Sequence, residues 1–321
     1  MLRQSGDYIS GEEISRKIGV SRAAVNSAIK SLRADGYEVD SVTNRGYKLT
    51  GSPDKLNRGE LLAVLSESRM ENVICLDSVG STNDYLCALA QDGAAQGTVV
   101  IADEQTVGKG RRGRSFSSPK GKGVYLSILL RPDSLPSETA NITAWVAVAM
   151  AKAIRNVCGA TVGIKWVNDL VLNRRKICGI LTEMSVESES SRIQYIVVGI
   201  GINANEEKSD FAEEIRDIAG SIYSETGSKV NRAALAAEMI RCLDELIADW
   251  PDKIDKYLSE YRKLCITIGK MVKIRSQDGD ETGVAVDIDG KFGLIVDFDD
   301  GTSRTVSSGE VSVRGLYGYV D

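Results

Sequence analysis

The spacing of apolar residues changes twice along this 321-residue chain, and that change limits the possible folds more than any other feature. Up to residue 50 the spacing is helical and then strand-like. Between residues 54 and 267 strand and helix patterns alternate, and from residue 268 only strand patterns remain. We therefore predict an α+β protein with three domains at residues 1–53, 54–267 and 268–321, with a Gly-Ser-Pro linker at 51–53.

The first domain has the pattern of a winged helix-turn-helix. A helix begins after Gly11, a turn follows at Gly19, and Ser21 is a typical N-cap for a second helix that ends at Gly36. A hairpin around residues 43–46 forms the wing. Residues 1–50 hold eight Lys and Arg against six Asp and Glu, whereas the remainder holds 32 against 39, which favours DNA binding by this domain. The residues that we expect to contact DNA are Ser21, Arg22, Asn26, Ser27, Lys30 and Arg45.

The other two domains differ in their strand and helix content. Strand patterns occur at residues 99–102, 124–130, 170–172, 177–181 and 195–202, and helical patterns at 56–65, 139–157 and 231–250. Because most of these strands follow one another along the chain, we expect a mixed sheet with helices on one side. In the last domain, strand patterns at 284–288 and 294–298 with Asp-Gly turns predict an SH3-like β-barrel.

The composition excludes several kinds of chemistry. The chain has no histidine, which excludes Ser-His-Asp triads and most transition-metal sites. Its six cysteines form no Cys-x-x-Cys pair, which indicates reduced thiols in place of a zinc or redox site. The N-terminus has no signal-peptide pattern, and the most apolar helical stretch, residues 142–151, is too short to span a bilayer. We therefore expect a cytoplasmic protein that does not bind membranes.

A glycine- and arginine-rich segment at residues 108–114 is the strongest local signal. Seven basic residues and no acidic residue lie between Gln105 and Pro132. Glycines allow consecutive backbone amides to converge on an anion, and arginines add bidentate donors. The segment predicts a loop that closes over phosphate or carboxylate, and the alternative is a solvated basic loop.

Three further motifs place polar groups on or beside strands. The sequence Lys-Trp-Val-Asn-Asp at 165–169 is followed by Lys176, and a lysine in a core sheet needs an anionic partner unless it reaches solvent. Residues 81–83, Ser-Thr-Asn, either bind a ligand or cap the helix that follows. Residues 199–203, Gly-Ile-Gly-Ile-Asn, form a strand that a ligand or another backbone can approach closely.

Together, in this order, the four motifs resemble the catalytic domain of biotin protein ligases. The family loop is usually written GRGRRGR and the lysine motif KWPND, so this chain departs from the family at Lys109 and Val167. Lys109 keeps the charge of arginine without its bidentate fork, and Val167 lacks the fixed backbone angle of proline. The resemblance extends to the winged helix and the C-terminal barrel. It implies a mixed-sheet α/β catalytic domain of the biotin/lipoate ligase type, which is similar to class II synthetases.

The resemblance also implies a role for each matching residue. Biotin would be bound by Ser81, Thr82, Asn83, Gln105, Lys109, Gly110, Arg111, Lys176, Gly179 and Ile180. ATP and the adenylate would be bound by Arg111, Arg112, Arg114, Asn168, Asp169 and Asn203. The catalytic residues would be Lys176 and Arg111. No dedicated metal site is implied, although Asp169 could contact the Mg²⁺ that arrives with ATP.

The implied activity is ATP-dependent ligation of biotin, through biotinyl-5′-AMP, to a lysine of the biotin-carrier domain of acetyl-CoA carboxylase. The winged helix implies repression at the operator DNA of biotin genes, with biotinyl-5′-AMP as corepressor. A homodimer is also implied, and we expect strand 123–130 to offer an exposed edge at its surface. The alternatives are a monofunctional biotin ligase, a lipoate protein ligase, and a transcription factor that only binds a small effector.

Overall fold

The winged helix-turn-helix prediction is confirmed in the computed structural model, which describes residues 1–275, 280–307 and 310–313. The N-terminal elements are α1 (Leu2–Ser5), α2 (Gly11–Ile18), α3 (Arg22–Ala34), β1 (Glu38–Val42) and β2 (Gly46–Gly51). Ser10 and Ser21 cap α2 and α3, because their side-chain oxygens accept from backbone amides in the first turn of each helix. A small apolar core joins both helices to the antiparallel β1–β2 hairpin.

The central part of the chain forms a mixed sheet, as predicted, and the sheet has seven strands. Its strands are β3 (Val73–Leu76), β4 (Val99–Ala102), β5 (Val124–Leu130), β6 (Gly163–Lys165), β7 (Asp169–Leu172), β8 (Arg175–Val186) and β9 (Ile193–Ile202). Its helices are α4 (Arg58–Leu61), α5 (Glu67–Met70), α6 (Thr82–Gln91), α7 (Pro136–Thr139), α8 (Ile142–Cys158), α9 (Ile222–Thr226), α10 (Arg232–Asp249) and α11 (Ile254–Leu264). The strand order is β3-β4-β5-β9-β8-β7-β6, and only β3 and β4 are parallel.

Helices cover both faces of this sheet, so the expectation of helices on one side is wrong. On one face α8, α10 and α11 pack over the alternate strand residues that include Leu126 and Val198. On the other face α6 packs against the residues between them, which include Leu129 and Val197. Because both faces are covered, the central strands are apolar at nearly every position instead of alternating.

The predicted exposed edge at strand 123–130 is also wrong. β5 lies inside the sheet between β4 and β9, and all seven of its residues are buried. A free edge occurs on β8, because β7 pairs with β8 only as far as Gly179. Residues 181–186 of β8 therefore pair with β9 on one side and with no strand of the described residues on the other.

Two predicted helices are shorter than expected. The helix predicted at 56–65 is the single turn α4, because Asn57 caps it and Ser66 caps a new turn, α5, soon afterwards. The helix predicted at 139–157 begins at Ile142, after the separate turn α7. The helix predicted at 231–250 is α10, with Asn231 as its N-cap.

The C-terminal part is all β, as predicted. Its strands are β10 (Met271–Arg275), β11 (Asp280–Ile288), β12 (Leu294–Phe298), β13 (Ser303–Val306) and β14 (Glu310–Val313), in the antiparallel order β13-β12-β11-β10-β14. The indole N–H of Trp166 donates to the carbonyl of Phe292 at 2.9 Å, which ties this sheet to the central domain. In the described part of the chain, no helix combines the length and the apolar character needed to cross a membrane.

The fully buried side chain of Arg232, at the start of α10, joins three separate segments. Its guanidinium donates to the carboxylate of Asp54 at 2.9 Å and to that of Asp103 at 2.6 Å. It also donates to the carbonyl oxygen of Gly123 at 3.2 Å. Asp54 follows the linker to the winged helix, Asp103 follows β4, and Gly123 follows the glycine–arginine loop. Arg232 therefore anchors the linker beside both segments.

Candidate active site

The four sequence motifs meet at one cavity of about 180 Å³ on the central sheet. It opens where β8 and β9 meet the start of α6 and the loop that follows β4. Every residue predicted to bind biotin or the nucleotide lines this cavity, except Asn203. The side-chain amide of Asn203 is buried and donates to the carbonyl oxygen of Gly220 at 2.9 Å.

One end of the cavity has a floor of buried polar groups. The carbonyl oxygen of the Gln105 side chain accepts from the backbone N–H of Thr82 at 2.9 Å and from its hydroxyl at 3.0 Å. The Ser127 hydroxyl lies 2.7 Å from the Thr82 hydroxyl and 2.6 Å from the carbonyl oxygen of the Asn83 side chain. The amide of Asn83 donates to Glu183 at 2.7 Å. This arrangement can recognise a small planar group that carries both donors and acceptors.

Ser127 and Glu183 were not among the site residues predicted from the sequence. Ser127 is a small polar residue in β5, a strand that is otherwise built from large buried aliphatic and aromatic side chains, and that contrast was an available signal. Ser81 caps α6, because its oxygen accepts from Asp84 N at 3.4 Å, and it also lines the cavity.

The other end of the cavity carries charge. Lys176 Nζ lies 2.7 Å from Asp169 Oδ1, an ion pair formed across the β7–β8 hairpin. The backbone of Lys176 is fixed as well, because its N–H donates to Ile218 O at 2.8 Å and its carbonyl accepts from Gly220 N at 2.9 Å. Lys176 is about one-third exposed, so its ammonium group can contact a ligand in the cavity.

The glycine–arginine loop folds over the charged end. A guanidinium N–H of Arg111 donates to Asn168 Oδ1 at 2.9 Å, which connects the loop to the lysine motif. Lys109 pairs with Asp84 on α6 at 2.5 Å, and this hydrogen bond raises the pKa of Lys109. Arg112 has a φ of 57°, a left-handed conformation within a tight turn of the loop. The structure thus brings the glycine–arginine loop and the lysine motif at residues 165–169 together at the cavity.

Two glycines of β9 make room for the site. A Cβ atom at Gly199 would collide with the side-chain amide of Asn83. A Cβ atom at Gly201 would lie 2.5 Å from the ring of Phe116, which also lines the cavity and which the sequence analysis missed. These positions require glycine because two side chains press on the strand from above.

A second predicted binding surface lies on the winged helix. The six residues predicted to contact DNA are all exposed, whereas Val25 and Ile29 of α3 are buried. Arg45, in the wing, stacks over the ring of Tyr8 at 4.4 Å and lies 3.7 Å from Asp7. The surface therefore presents donors on one helix and one hairpin, as a winged helix that binds DNA must.

A buried carboxyl group lies in the segment that follows β9. Glu206 is almost completely buried, and its Oε2 atom has no hydrogen-bond partner among the described residues. Its Oε1 atom is 3.5 Å from the hydroxyl of Tyr125. Burial raises the pKa of Glu206 to about 7. The group is therefore neutral over part of the physiological range.

Models of three known families match the chain in the order of its three parts. An HTH domain matches residues 1–48, the biotin/lipoate A/B protein ligase family matches 75–203, and the biotin protein ligase C-terminal domain matches 267–314. The fold and the site thus define a protein ligase of the biotin/lipoate class that carries a helix-turn-helix.

Relatives of known function match the chain over nearly its whole length. The chain is 34% identical to the bifunctional ligase/repressor BirA of Bacillus subtilis, over 96% of this chain and 95% of the relative. It is 32% identical to the protein of the same name from Escherichia coli, over 98% and 95%. The biotin protein ligase of Aquifex aeolicus, solved in complex with biotin and ATP, aligns with a TM-score of 0.65 and 28% identity over 76% of this chain and 99% of that one. The chain belongs to the biotin protein ligase family.

Proposed function

We propose that the protein is an ATP-dependent biotin–[acetyl-CoA-carboxylase] ligase that also acts as a biotin-responsive transcriptional repressor. The observation that carries the proposal is that four motifs from distant parts of the chain line one cavity, with a neutral polar floor at one end and basic groups at the other. Biotin has a matching asymmetry, with a neutral ureido ring at one end and a carboxylate at the other. The names of the relatives in Bacillus subtilis and Escherichia coli agree with both activities.

The proposed reaction has two steps. An oxygen of the biotin carboxylate attacks the α-phosphorus of ATP, pyrophosphate leaves, and biotinyl-5′-AMP forms. The neutral ε-amine of a carrier lysine then attacks the carbonyl carbon of this mixed anhydride, forms the amide, loses a proton and expels AMP. No protein nucleophile is needed, which suits a chain without histidine.

In this scheme the residues of the chain act by positioning and by electrostatic stabilisation. Thr82, Asn83 and Gln105 orient the ureido ring, while Lys176 and Arg111 stabilise negative charge on the carboxylate and the α-phosphate. Binding both substrates beside each other replaces a bimolecular collision with a reaction inside one cavity.

Mg²⁺ would enter this site bound to ATP. The described residues contain no group of three acidic or cysteine side chains that could hold a metal ion by themselves. Asp169 fits a single contact, because its carboxylate lines the cavity beside the ammonium group of Lys176, which lies 2.7 Å from Oδ1. The ion would supply positive charge at the phosphates.

The repressor function rests on the winged helix. We assign DNA binding to the exposed residues of α3 and to Arg45, and we assign the three domains to residues 1–53, 54–267 and 268–321. One winged helix with few basic residues makes few phosphate contacts, so two copies on a two-fold operator would bind much more tightly than one. ATP and biotin-carrier proteins are cytoplasmic, and we place the enzyme in that compartment.

The free edge of β8 is the surface that we assign to a homodimer. Residues 181–186 offer unpaired backbone groups, and the side chains of Met184 and Val186 are both 42% exposed. Antiparallel pairing of two such edges around a two-fold axis would join two sheets. A strand of the carrier domain could use the same edge, so dimerisation and ligation would exclude each other.

One assay tests the ligase proposal directly. Purified protein, ATP and labelled biotin are incubated with a biotin-carrier domain, and labelled lipoate is offered in a parallel reaction. ATP-dependent transfer of biotin with little transfer of lipoate supports the proposal. Preferential transfer of lipoate would identify a lipoate ligase, and transfer of neither would leave a DNA-binding protein that only senses a small molecule.

A further inference from the structure

Glu183 lies behind the polar floor, on β8, and does not line the cavity. It accepts a hydrogen bond from the side-chain amide of Asn83, at 2.7 Å. Asn83 is 4% exposed and Ser127 is completely buried, so water does not compete for this contact chain. The chain continues from Asn83 through Ser127 and Thr82 to Gln105.

The positions of the hydrogen atoms along this chain follow from Glu183. A carboxylate can only accept, so the NH₂ group of Asn83 must face Glu183 and its carbonyl oxygen must face Ser127. That oxygen can only accept, so the single hydroxyl proton of Ser127 points at Asn83.

The chain then has one more oxygen–oxygen contact than it has hydroxyl protons to fill them. The Thr82 hydroxyl has one proton and two close oxygens, Ser127 Oγ at 2.7 Å and the side-chain oxygen of Gln105 at 3.0 Å. Whichever one receives this proton, the floor retains an excess of oxygen lone pairs. Such a floor favours a ligand that brings N–H donors.

The alternative arrangement of the same atoms is a reversed amide at Asn83. This amide packs directly against Gly199, where a Cβ atom would lie 2.2 Å from Asn83 Oδ1, and a half-turn of the amide exchanges its oxygen and its NH₂ group in place. A reversed amide would set its oxygen against the Glu183 carboxylate, which is repulsive. Without the carboxylate, the reversed amide would donate to Ser127, and the Ser127 proton would turn toward Thr82.

We propose that Glu183 is a positioning residue that fixes the donor and acceptor pattern of the biotin-binding floor, so that it selects the ring N–H groups of the cyclic urea. This inference rests on the proposed function and goes beyond it by naming a residue outside the cavity that determines ligand selectivity. Glu183 acts through Asn83 and Ser127 and contacts no reacting atom.

The test uses the full-length protein and measures biotin binding by calorimetry for the wild type, Glu183→Ala and Ser127→Ala. Two biotin analogues, each with an oxygen in place of one ring N–H, measure selectivity. Glu189→Ala, an exposed acidic residue beyond the end of β8, is the matched control. We expect Glu183→Ala to weaken biotin binding roughly 10- to 100-fold, as expected for a buried polar group with the wrong partner. We also expect it to reduce the ratio of the affinity for biotin to the affinity for the oxygen analogues, while kcat at saturating biotin changes little.

The effect of Glu183 on biotin binding must depend on the hydroxyl group of Ser127. Adding Glu183→Ala to a Ser127→Ala background should therefore cost much less than it does alone. Glu183→Gln nearly preserves the shape and allows either orientation of Asn83, so it should fold even if the alanine variant does not. It should weaken binding a few-fold while shifting the analogue preference in the same direction.

Three results would overturn the inference. The first is that Glu183→Ala or Glu183→Gln binds biotin as tightly as the wild type does. The second is that biotin binding weakens while the preference for biotin over the oxygen analogues stays unchanged. The third is that Glu183→Ala weakens biotin binding equally in the wild-type and Ser127→Ala backgrounds. A wild-type protein that bound no biotin would overturn the proposed function together with this inference, whereas normal wild-type binding with any of the three results overturns the inference alone.

Discussion

Replacing Glu206 with glutamine should change how the stability of the protein depends on pH. The side chain is almost completely buried, and one of its carboxylate oxygens has no partner among the described residues. Burial raises the pKa from its ordinary value of 4.5 to about 7. Glutamine has nearly the same shape and does not ionise, so the variant removes the titration and preserves the packing.

The sign and the size of the effect follow from the two pKa values. Below pH 4.5 the carboxyl group is protonated in both the folded and the unfolded protein, and its contribution to stability is fully present. As the pH rises from 4.5 to about 7, the unfolded chain ionises while the folded protein does not, and the contribution is lost. The loss corresponds to about 3 kcal/mol in the free energy of unfolding.

Urea unfolding followed by tryptophan fluorescence measures this quantity, because Trp145, Trp166 and Trp250 all lie in the central part of the chain. The free energy of unfolding of the wild type, relative to Glu206→Gln, should fall by about 3 kcal/mol between pH 4 and pH 8. Glu214→Gln, an exposed glutamate nearby, serves as the control and should follow the wild type. Parallel pH profiles for the wild type and Glu206→Gln would refute the reasoning.

Four further predictions follow from the site and the surfaces. Lys176→Ala should lower the rate of adenylate synthesis about 100- to 1,000-fold, because a charge contact to the transition state is lost, and an unchanged rate of pyrophosphate release would contradict the role of Lys176. Trypsin should cut the loop at 107–122 less in the presence of biotin and ATP, and equal cleavage with and without them would show that the ligand does not order it. Val186→Lys should weaken dimerisation in sedimentation experiments with biotin and ATP, whereas Val284→Lys, at a similarly exposed position on β11, should not. Gel shifts with promoter DNA of biotin genes should show tighter binding when biotin and ATP are present, and identical binding in both conditions would contradict the control of DNA binding by biotin.

Local patterns predicted individual elements well. β5 and α10 match their predicted ranges because each depends on residues that are neighbours in sequence: an unbroken apolar run in one case, and an amphipathic stripe with the Asn231 cap in the other. The motif residues were also identifiable, because glycines and charges within a few positions of each other limit what a loop can do.

Features that depend on distant partners could not be predicted. The apolar run of β5 indicates burial but does not identify the strands beside it, so the free edge was placed on β5 when it lies on β8. Asn203 stands in a motif whose first three residues line the cavity, yet its side-chain amide donates to the carbonyl of Gly220, 17 residues away in sequence. Glu183 looked like an ordinary strand residue, because its partner Asn83 is 100 residues distant in sequence.

The anchoring of Asp54 by Arg232 determines how far the DNA-binding domain can swing. Only Ser52 and Pro53 separate the end of β2 from the ion pair between Asp54 and the buried Arg232, and so short a tether spans roughly 10 Å even when fully extended. Two recognition helices in a two-fold dimer would then be held near one fixed separation. Such a repressor would tolerate base changes within its half-sites more readily than an added base pair between them, since a spacing error could only be absorbed by bending the DNA.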